Sequence, residues 1–280
     1  MKEMDYKTID WNEVWKGLYE KNVGSRGRGE CATIWDSKKK AEEFLAQSDK
    51  NPERISRVIE RLRPGPGSKV LDIGAGPGTL AVPIAGLAGQ VTAVEPAAGM
   101  AEVMKEYAAR QGISNLTVVR KRWEDIDPAT DLDGPYDIVF ASHSLGMPDI
   151  RKAIEKMTAV ASRQIFLFWF GGVTSWERPM VDLWPKLHGK AYTPGPKADI
   201  LFNVLWSMGI TPNMSSGELD HAKIYPDVTS AIGDLREQFA ISTPEQDEVL
   251  RHYLEEVMIP KNGQLALPGK TTGVQFWWEV

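Results

Sequence analysis

The sequence is poor in cysteine and histidine and has no long apolar run. Its 280 residues include one cysteine, Cys31, and four histidines without metal-ligand spacing, so we predict no metal site. A single thiol also excludes an intramolecular disulfide. The longest apolar run, 165–170, is far shorter than the roughly 20 residues of a membrane helix. Because the charged start is also unlike a signal peptide, we expect a cytoplasmic protein with no membrane partner.

An excess of basic charge is also absent. The net charge is −5 and the isoelectric point is near 5.5, which argues against broad nucleic-acid binding. Basic residues do cluster at 38–40 and at Arg54, Arg57, Arg61 and Arg63. Both clusters stand among acidic residues in helix-like stretches, a pattern typical of a solvated helix face. The composition therefore predicts that nucleic acid is not the partner.

What is present is a regular alternation of apolar strands and helices, after a helical beginning. Apolar strands separated by helices predict a parallel sheet covered on both faces. Helices are predicted over 8–22, 37–47, 52–63, 79–87, 98–111 and 149–161, and strands over 70–73, 91–94, 116–119, 137–141 and 164–170.

The last third of the chain is less regular. It begins with a segment rich in Trp and Pro, 176–196, and we then predict helices at 199–208, 230–239 and 245–257 and strands at 214–225 and 273–280. The predicted organisation is an N-terminal helical cap, 1–66, an α/β core, 67–172, and a region, 173–280, that completes the sheet. Insertions at about 173–198 and 227–270 suit a lid over a pocket or, as the alternative, a homodimer interface.

The segment VLDIGAGPG, 70–78, joins a predicted strand to a predicted helix. Its glycines at 74, 76 and 78 let the backbone turn tightly and approach a ligand without a Cβ in the way. Thr79 stands where the dinucleotide fingerprint needs a third glycine, which disfavours a nicotinamide dehydrogenase. Asp72 precedes the turn, and a buried carboxylate must be paired. It either orients the loop or meets a ligand ammonium.

A second acid, Glu95, ends the next predicted strand about 20 residues further on. An acid at this place suits a ribose diol, because its two oxygens accept from both hydroxyls. The alternative is an acid at the N-terminus of the helix that starts near Ala98. We predict ribose binding, because the ligand crevice of such sheets lies at the strand ends.

VLDIGAGPG and the following VTAVEP, 91–96, together resemble motif I and its successor in class I S-adenosylmethionine-dependent methyltransferases. The resemblance covers about 69–172, a third of the chain. It implies a doubly wound, mostly parallel seven-stranded Rossmann-like sheet. It also implies S-adenosylmethionine as cofactor and S-adenosylhomocysteine as product, with the glycine loop under the methionine part and Glu95 on the ribose. The loop 120–126 would hold the adenine.

This adenine loop departs from the family pattern, since Arg122 and Trp123 replace an acid and a small residue. We predict that Trp123 stacks on the adenine, with a loop anchor as the alternative, and that Glu124 or Asp125 binds the adenine amino group. The cofactor-binding residues predicted in this way are Asp72, Gly74, Ala75, Gly76, Gly78, Glu95, Pro96, Trp123, Glu124 and Ser142.

The fourth predicted strand ends in ASHSLGM, 141–147. In the resembled fold this tip lies between methyl donor and acceptor. The Asn-Pro-Pro-Tyr run that the family associates with amino-nitrogen methylation of bases or glutamine is absent here. His143 is the candidate catalytic residue, because a neutral imidazole can take a proton from the acceptor. The alternative is a histidine that only lines the site.

The acceptor pocket is predicted from the aromatic residues outside the core motif. Tryptophan is abundant, with ten residues, and suits either an aromatic pocket or ordinary core packing. The candidate pocket residues are Trp15, Tyr19, Trp35, Trp176 and Tyr192. We predict methyl transfer to a small molecule by in-line displacement in a closed pocket. The alternatives are methylation of tRNA or protein, supported by the segment GSRGRGE at 24–30, and a cofactor-binding protein without catalysis.

Overall fold

A seven-stranded sheet organises the protein. The computed structural model describes residues 9–26, 35–49 and 52–280, so part of GSRGRGE lies outside the described residues. The sheet order is β3-β2-β1-β4-β5-β10-β6. Its strands are β1 Lys69–Ile73, β2 Gln90–Val94, β3 Leu116–Val119, β4 Tyr136–Ser142, β5 Ala161–Gly171, β6 Asn213–Asp220 and β10 Lys270–Glu279.

The pairing within this sheet confirms the predicted doubly wound, mostly parallel architecture. Strands β1 to β5 run parallel to one another. Strand β10 lies antiparallel between β5 and β6. The central strands are apolar because helices cover both of their faces, so most side chains on either face of each strand are buried.

Helices cover the sheet in two layers. Side chains of α1, α7 and α9 pack on one face, and side chains of α3, α4 and α5 pack on the other. No helix in the described ranges is long and apolar enough to cross a membrane. The helices are α1 Trp11–Arg26, α2 Lys38–Asp49, α3 Pro52–Leu62, α4 Ala81–Ala85, α5 Ala98–Arg110, α6 Pro128–Asp131, α7 Ile150–Val160, α8 Arg178–His188, α9 Ala198–Ser207, α10 Val228–Leu235 and α11 Pro244–Val257.

The N-terminal helices are present as predicted, but they attach to the core at different places. Helix α1 continues past the predicted end at 22 and packs through Trp15 on one face of the sheet. Helix α3 packs through Val58 and Leu62 on the opposite face. Helix α2 packs on α5 through Ala41 and Leu45. The three N-terminal helices therefore pack around the α/β core.

The segment between β6 and β10 differs from the prediction of a helical insertion. The predicted single strand 214–225 is two strands, because β6 ends at Asp220 and the chain turns there, with the Ala222 amide donating to the Asp220 carboxylate at 2.8 Å. A second, three-stranded sheet follows with order β7-β9-β8. Its strands are β7 Lys223–Tyr225, β8 Ile259–Lys261 and β9 Gln264–Leu267. The insertion is therefore two helices with a small sheet.

The insertion packs against a helix that the sequence pattern did not predict. Helix α8 lies within the Trp- and Pro-rich segment, and its Leu183, Trp184 and Leu187 share a core with α10 and α11. This core is anchored at the carboxyl edge of the main sheet. Thr272 of β10 pairs with Gly171 at the end of β5, and Lys270 pairs with Asp220 at the end of β6. The insertion thus begins and ends where the parallel strands end.

Candidate cofactor and acceptor site

The glycine loop after β1 combines close packing with one open position. Gly74, Gly76 and Gly78 all have positive φ, at 71°, 58° and 83°. A Cβ at Gly74 would overlap the Ser144 Cβ, and one at Gly78 would lie 2.6 Å from the Met104 Cγ. At Gly76 no atom of the described residues lies within 4 Å of that position. Two glycines therefore serve packing, whereas Gly76 faces a space that a ligand can fill.

Glu95 holds this loop in place from the end of β2. Its Oε2 accepts from the Gly76 amide and its Oε1 accepts from the Ala97 amide, both at 2.8 Å. Burial raises the pKa of Glu95, and the two backbone hydrogen bonds act against that shift. The contact with Ala97, just before α5, fits the helix-terminus alternative. Each carboxylate oxygen has a second lone pair, so ribose binding remains compatible with both contacts.

Asp72 is a buried acid with an oxygen that lacks a partner. It is 2% exposed, and no described group hydrogen-bonds its Oδ2. Burial, followed by the charge of Glu95, raises the pKa of Asp72 well above its ordinary value. An unsatisfied buried oxygen is costly and calls for an explanation. A ligand ammonium at this position would satisfy it, which is one of the two roles that the sequence analysis leaves open for Asp72.

His143 lies at the tip of β4, beside the glycine loop. It has a φ of 59°, and its ring stacks on Phe170 with centroids 4.5 Å apart. Its Nδ1 is 3.2 Å from the Arg54 Nη2 and 3.3 Å from the Ser142 Oγ. A guanidinium only donates, so Nδ1 is the acceptor and the ring proton is on Nε2.

This arrangement argues against the predicted acid/base role of His143. The basic lone pair of the neutral ring is engaged by Arg54. Burial, the charge of Arg54 and then His221 lower the pKa of His143 to about 3. A base with so low a pKa is poorly matched to neutral pH. The geometry favours the alternative, a histidine that lines and shapes the site.

The low pKa of His143 predicts how stability depends on pH. An unfolded imidazole takes up a proton below about pH 6.5, whereas the folded ring stays neutral until about pH 3. This group therefore destabilises the protein as pH falls from 6.5. We expect His143→Asn, which tolerates the positive φ, to recover about 1–2 kcal/mol relative to wild type between pH 7.5 and pH 5. Urea unfolding at the two pH values measures it. Equal acid sensitivity of both proteins would contradict the low pKa.

The predicted adenine loop forms a short 3₁₀ turn at Trp123–Asp125. Trp123 is 2% exposed, and its Nε1 donates to the Ala153 carbonyl at 3.1 Å. Lys156 donates to the carbonyl of Trp123 and to that of Glu124, both at 2.9 Å. Trp123 belongs to the core under α7, which favours the loop-anchor alternative over adenine stacking. The side chain of Glu124 is exposed and Pro96 is partly exposed.

Four of the five predicted pocket residues have contacts or positions that suit packing. Trp15 is fully buried, with its Nε1 donating to the Met147 carbonyl at 2.8 Å, so it is a core residue. Tyr192 is 6% exposed and lies in the core shared with the insertion. Trp35 packs edge-on against Phe44, and Tyr19 is partly exposed on α1. These placements favour packing roles.

Trp176 is the predicted pocket residue that reaches the tip of β4. Its ring meets the ring of Phe170 edge-on at 4.9 Å and the ring of His221 edge-on at 5.1 Å. Phe170 in turn stacks on His143. We call Arg54, His143, Phe170, Trp176 and His221 the β4-tip cluster. Among the described residues, no group of three or more His, Cys, Asp or Glu side chains is arranged to hold a metal ion.

The sequence analysis missed Arg54, Phe170 and His221. Arg54 was grouped with exposed arginines, and Arg57, Arg61 and Arg63 are indeed exposed. The spacing i, i+4 and i+8 nevertheless places Arg54 on the helix face of Val58 and Leu62, both buried. The helical periodicity of the sequence therefore distinguishes Arg54 from the three exposed arginines of the cluster. Nothing in the sequence placed His221 beside the end of β4.

Comparison with known proteins identifies a methyltransferase domain in this chain. Residues 70–164 match a family described as a methyltransferase domain. An uncharacterized protein of Haemophilus influenzae is 31% identical over 48% of this chain and 48% of its own length. Protein-L-isoaspartate O-methyltransferase 1 of Rhodopseudomonas palustris is 29% identical over 42% of this chain and 46% of its own length. The chain thus spans about half the length of these curated relatives.

A solved structure shows the same fold over most of the chain. The YcgJ protein from Bacillus subtilis has a TM-score of 0.55 at 14% sequence identity, covering 80% of this chain and 97% of that one. The family match covers about a third of the chain and identifies residues 70–164 as a methyltransferase domain, and the shared fold supports a class I methyltransferase core with S-adenosylmethionine as cofactor. This confirms the resemblance carried by VLDIGAGPG and VTAVEP.

Proposed function

We propose that this protein is a methyltransferase that uses S-adenosylmethionine to methylate a small molecule. The observation that carries the proposal is the open turn at Gly76, set between the unpartnered Oδ2 of Asp72 and the carboxylate of Glu95. A carboxyl group, a bare backbone and a second carboxyl group in this order suit a ligand with an ammonium, a thioether-sized middle and a ribose.

The residues present fit this cofactor. Asp72 would meet the methionine ammonium, the backbone from Gly74 to Gly78 would lie against the methionine part, and Glu95 would accept from the ribose hydroxyls. When bound, the cofactor supplies a methyl group on a positively charged sulfur. The protein then has to bind and align the acceptor and exclude water. None of this requires a covalent intermediate with the enzyme.

A small acceptor is favoured by what surrounds the carboxyl edge of the sheet. The insertion 221–269 and α8 share a core there, which suits a lid over a pocket better than an open surface for a macromolecule. The net charge of −5 also disfavours RNA. The curated relatives include a protein methyltransferase and a 23S rRNA methyltransferase, so loss of activity in an extract after ribonuclease treatment would redirect the proposal.

Calorimetric titration with S-adenosylmethionine and S-adenosylhomocysteine tests the cofactor site. We expect micromolar binding by wild type and about 10- to 100-fold weaker binding by Glu95→Gln. The amide keeps only one acceptor oxygen for the Gly76 and Ala97 amides and loses the charge that strengthens the diol contact, worth roughly 1.5–3 kcal/mol. A turnover assay after this titration distinguishes an enzyme from a protein that binds the cofactor without catalysis.

A matched variant controls for loss of a carboxylate near α5. Glu102 is exposed and pairs with Lys38 at 2.8 Å, so Glu102→Gln should leave the affinity unchanged. If folded wild-type protein bound neither S-adenosylmethionine nor S-adenosylhomocysteine, the proposed function would be wrong.

A further inference from the structure

A cleft of about 570 Å³ lies between α3 and the adjoining face of β5 and β10. A cleft of this volume can hold a small ligand. We call it the arginine cleft. The residues that define it are Arg57, Arg61 and Arg63 on the helix side and Phe166, Gln275 and Trp277 on the sheet side.

The arginine cleft lies apart from the site at the carboxyl edge of the sheet. Phe166 of β5 pairs with Trp277 of β10, whereas Phe170, which stacks on His143, is four residues nearer the carboxyl end of β5. At about 3.3 Å per residue, the two regions are roughly 13 Å apart along the strand. A molecule in the arginine cleft would therefore be a second ligand and not the methyl acceptor.

The helix side of the cleft carries an excess of positive charge. Three arginines line it together with one acid, Glu60. Within the described part of the chain, no ion pair joins Arg57, Arg61 or Arg63 to a carboxylate. The Arg57 Nε donates to the Glu53 carbonyl at 3.3 Å, which uses one of its five N–H groups. A concave surface with more cations than acids attracts an anion.

The sheet side of the cleft is aromatic. The Arg61 Cζ lies 4.5 Å from the centroid of the Trp277 ring, and Phe166 is buried beside it in the core under α3. A guanidinium held against an indole keeps its charge and offers its outer face to a planar ring. The cleft therefore favours an anion that also carries a flat ring.

One side-chain oxygen in the cleft has no hydrogen-bond partner. The Oε1 of Gln275 is buried, and none of the described groups donates to it. Gln275 lies on β10 between Phe168 of β5 and Ser215 of the edge strand β6. A buried acceptor without a donor calls for an explanation. An N–H group on a planar ligand would satisfy this oxygen.

We propose that the arginine cleft binds a free nucleotide in addition to the cofactor. The phosphate lies at the arginines, the base lies against Arg61 and Trp277, and a base N–H donates to the Gln275 Oε1. A nucleotide combines an anion, a flat ring and N–H donors in one small molecule. An RNA strand is less suited, because Glu60 and the exposed Glu279 interrupt the positive surface and the net charge is −5.

Adenosine 5′-monophosphate (AMP), adenosine and ribose 5-phosphate are the probes for the cleft. Each is titrated by calorimetry into the protein saturated with S-adenosylhomocysteine, so that the proposed cofactor site is already filled. We expect AMP to bind at submillimolar concentration. Adenosine lacks the phosphate and ribose 5-phosphate lacks the base, so each should bind at least tenfold more weakly.

Variants of Arg61 locate the bound nucleotide. Arg61→Gln should weaken AMP binding at least tenfold. Arg61→Lys should restore only part of the affinity, because lysine keeps the charge but has no flat guanidinium. Arg110→Gln is the matched control and should bind AMP as wild type does, since Arg110 also lies over an aromatic ring, that of Tyr107 at 5.9 Å, but on α5 and outside the cleft.

A variant of Gln275 tests the contact with the base. Methionine has a similar shape and lacks the amide oxygen. Gln275→Met should weaken AMP binding about three- to tenfold and leave the binding of ribose 5-phosphate unchanged. Equal losses for the two ligands would contradict a hydrogen bond between the base and Gln275.

Four results would overturn the proposal. The first two, adenosine or ribose 5-phosphate binding as tightly as AMP and no AMP binding by wild type, do not depend on any variant folding. The third is unchanged AMP affinity in folded Arg61→Gln, because AMP would then bind elsewhere. The fourth is an oligoadenylate of ten nucleotides binding more than a hundredfold more tightly than AMP, which would make the cleft part of an RNA-binding surface. Failure of wild type to bind S-adenosylhomocysteine would overturn the proposed function alone, because Arg61→Gln still shows whether AMP occupies the cleft.

Discussion

Gly76→Val is expected to abolish binding of S-adenosylmethionine while the protein still folds. The Cβ position at Gly76 is free of described atoms within 4 Å, so the added Cβ has room beside the loop. The side chain would fill the space that the proposed function assigns to the cofactor. A φ of 58° costs a residue with a Cβ roughly 1–2 kcal/mol of stability. We therefore expect a modest loss of stability and more than a hundredfold loss of affinity.

Gly112→Val separates the two effects. Gly112 follows α5 with a φ of 68°, and its Cβ position is likewise free of described atoms within 4 Å. It lies at the other end of α5 from the glycine loop. Both variants should lose similar stability in urea unfolding, whereas calorimetry should show wild-type affinity for Gly112→Val alone. Retained affinity in Gly76→Val would mean that the ligand does not lie against this turn.

The sheet was predictable because its strands are short, apolar and bounded by glycine or polar turns. Strand β3 was predicted with its observed bounds, and β1 and β2 were each predicted to within one residue. A parallel sheet buries both faces of each strand, so the pattern depends on local composition alone. The roles of Gly76 and Glu95 were predictable for a similar reason, because each residue lies just after the end of a predicted strand.

The acceptor side was not predictable in the same way. His221 reaches the tip of β4 only because β10 returns between β5 and β6 and carries the insertion to that edge. Trp15, Trp123 and Tyr192 were assigned to ligand sites by residue type, but tryptophan and tyrosine are equally suited to a core with one hydrogen bond. Trp15 and Trp123 each donate their indole N–H to a backbone carbonyl. Long-range contacts decide between the two roles.

Asp72→Asn is expected to stabilise the ligand-free protein increasingly as pH rises. The pKa of Asp72 is raised well above its ordinary value, so the folded state keeps a proton that the unfolded chain releases above about pH 4. Stability is therefore lost as pH rises from the unfolded pKa toward the folded pKa, by about 1.4 kcal/mol per pH unit within that window. Asparagine has no such proton. Urea unfolding from pH 4 to pH 8 should show a difference that grows with pH, and a constant difference would contradict the raised pKa.

The same substitution should weaken cofactor binding, so stability and affinity change in opposite directions. The proposed ammonium of the cofactor pairs with an ionised Asp72 and satisfies its Oδ2, which has no partner among the described groups. Asparagine offers one neutral oxygen, so we expect about 10- to 100-fold weaker binding of S-adenosylhomocysteine at pH 8. Asp137→Asn in the neighbouring strand β4, where the carboxylate accepts from the Lys69 amide, should leave that affinity unchanged. A gain in stability without a loss of affinity would mean that Asp72 serves only to orient the loop. Both changes together would mean that the protein keeps an unsatisfied acid in its core because the cofactor needs it there.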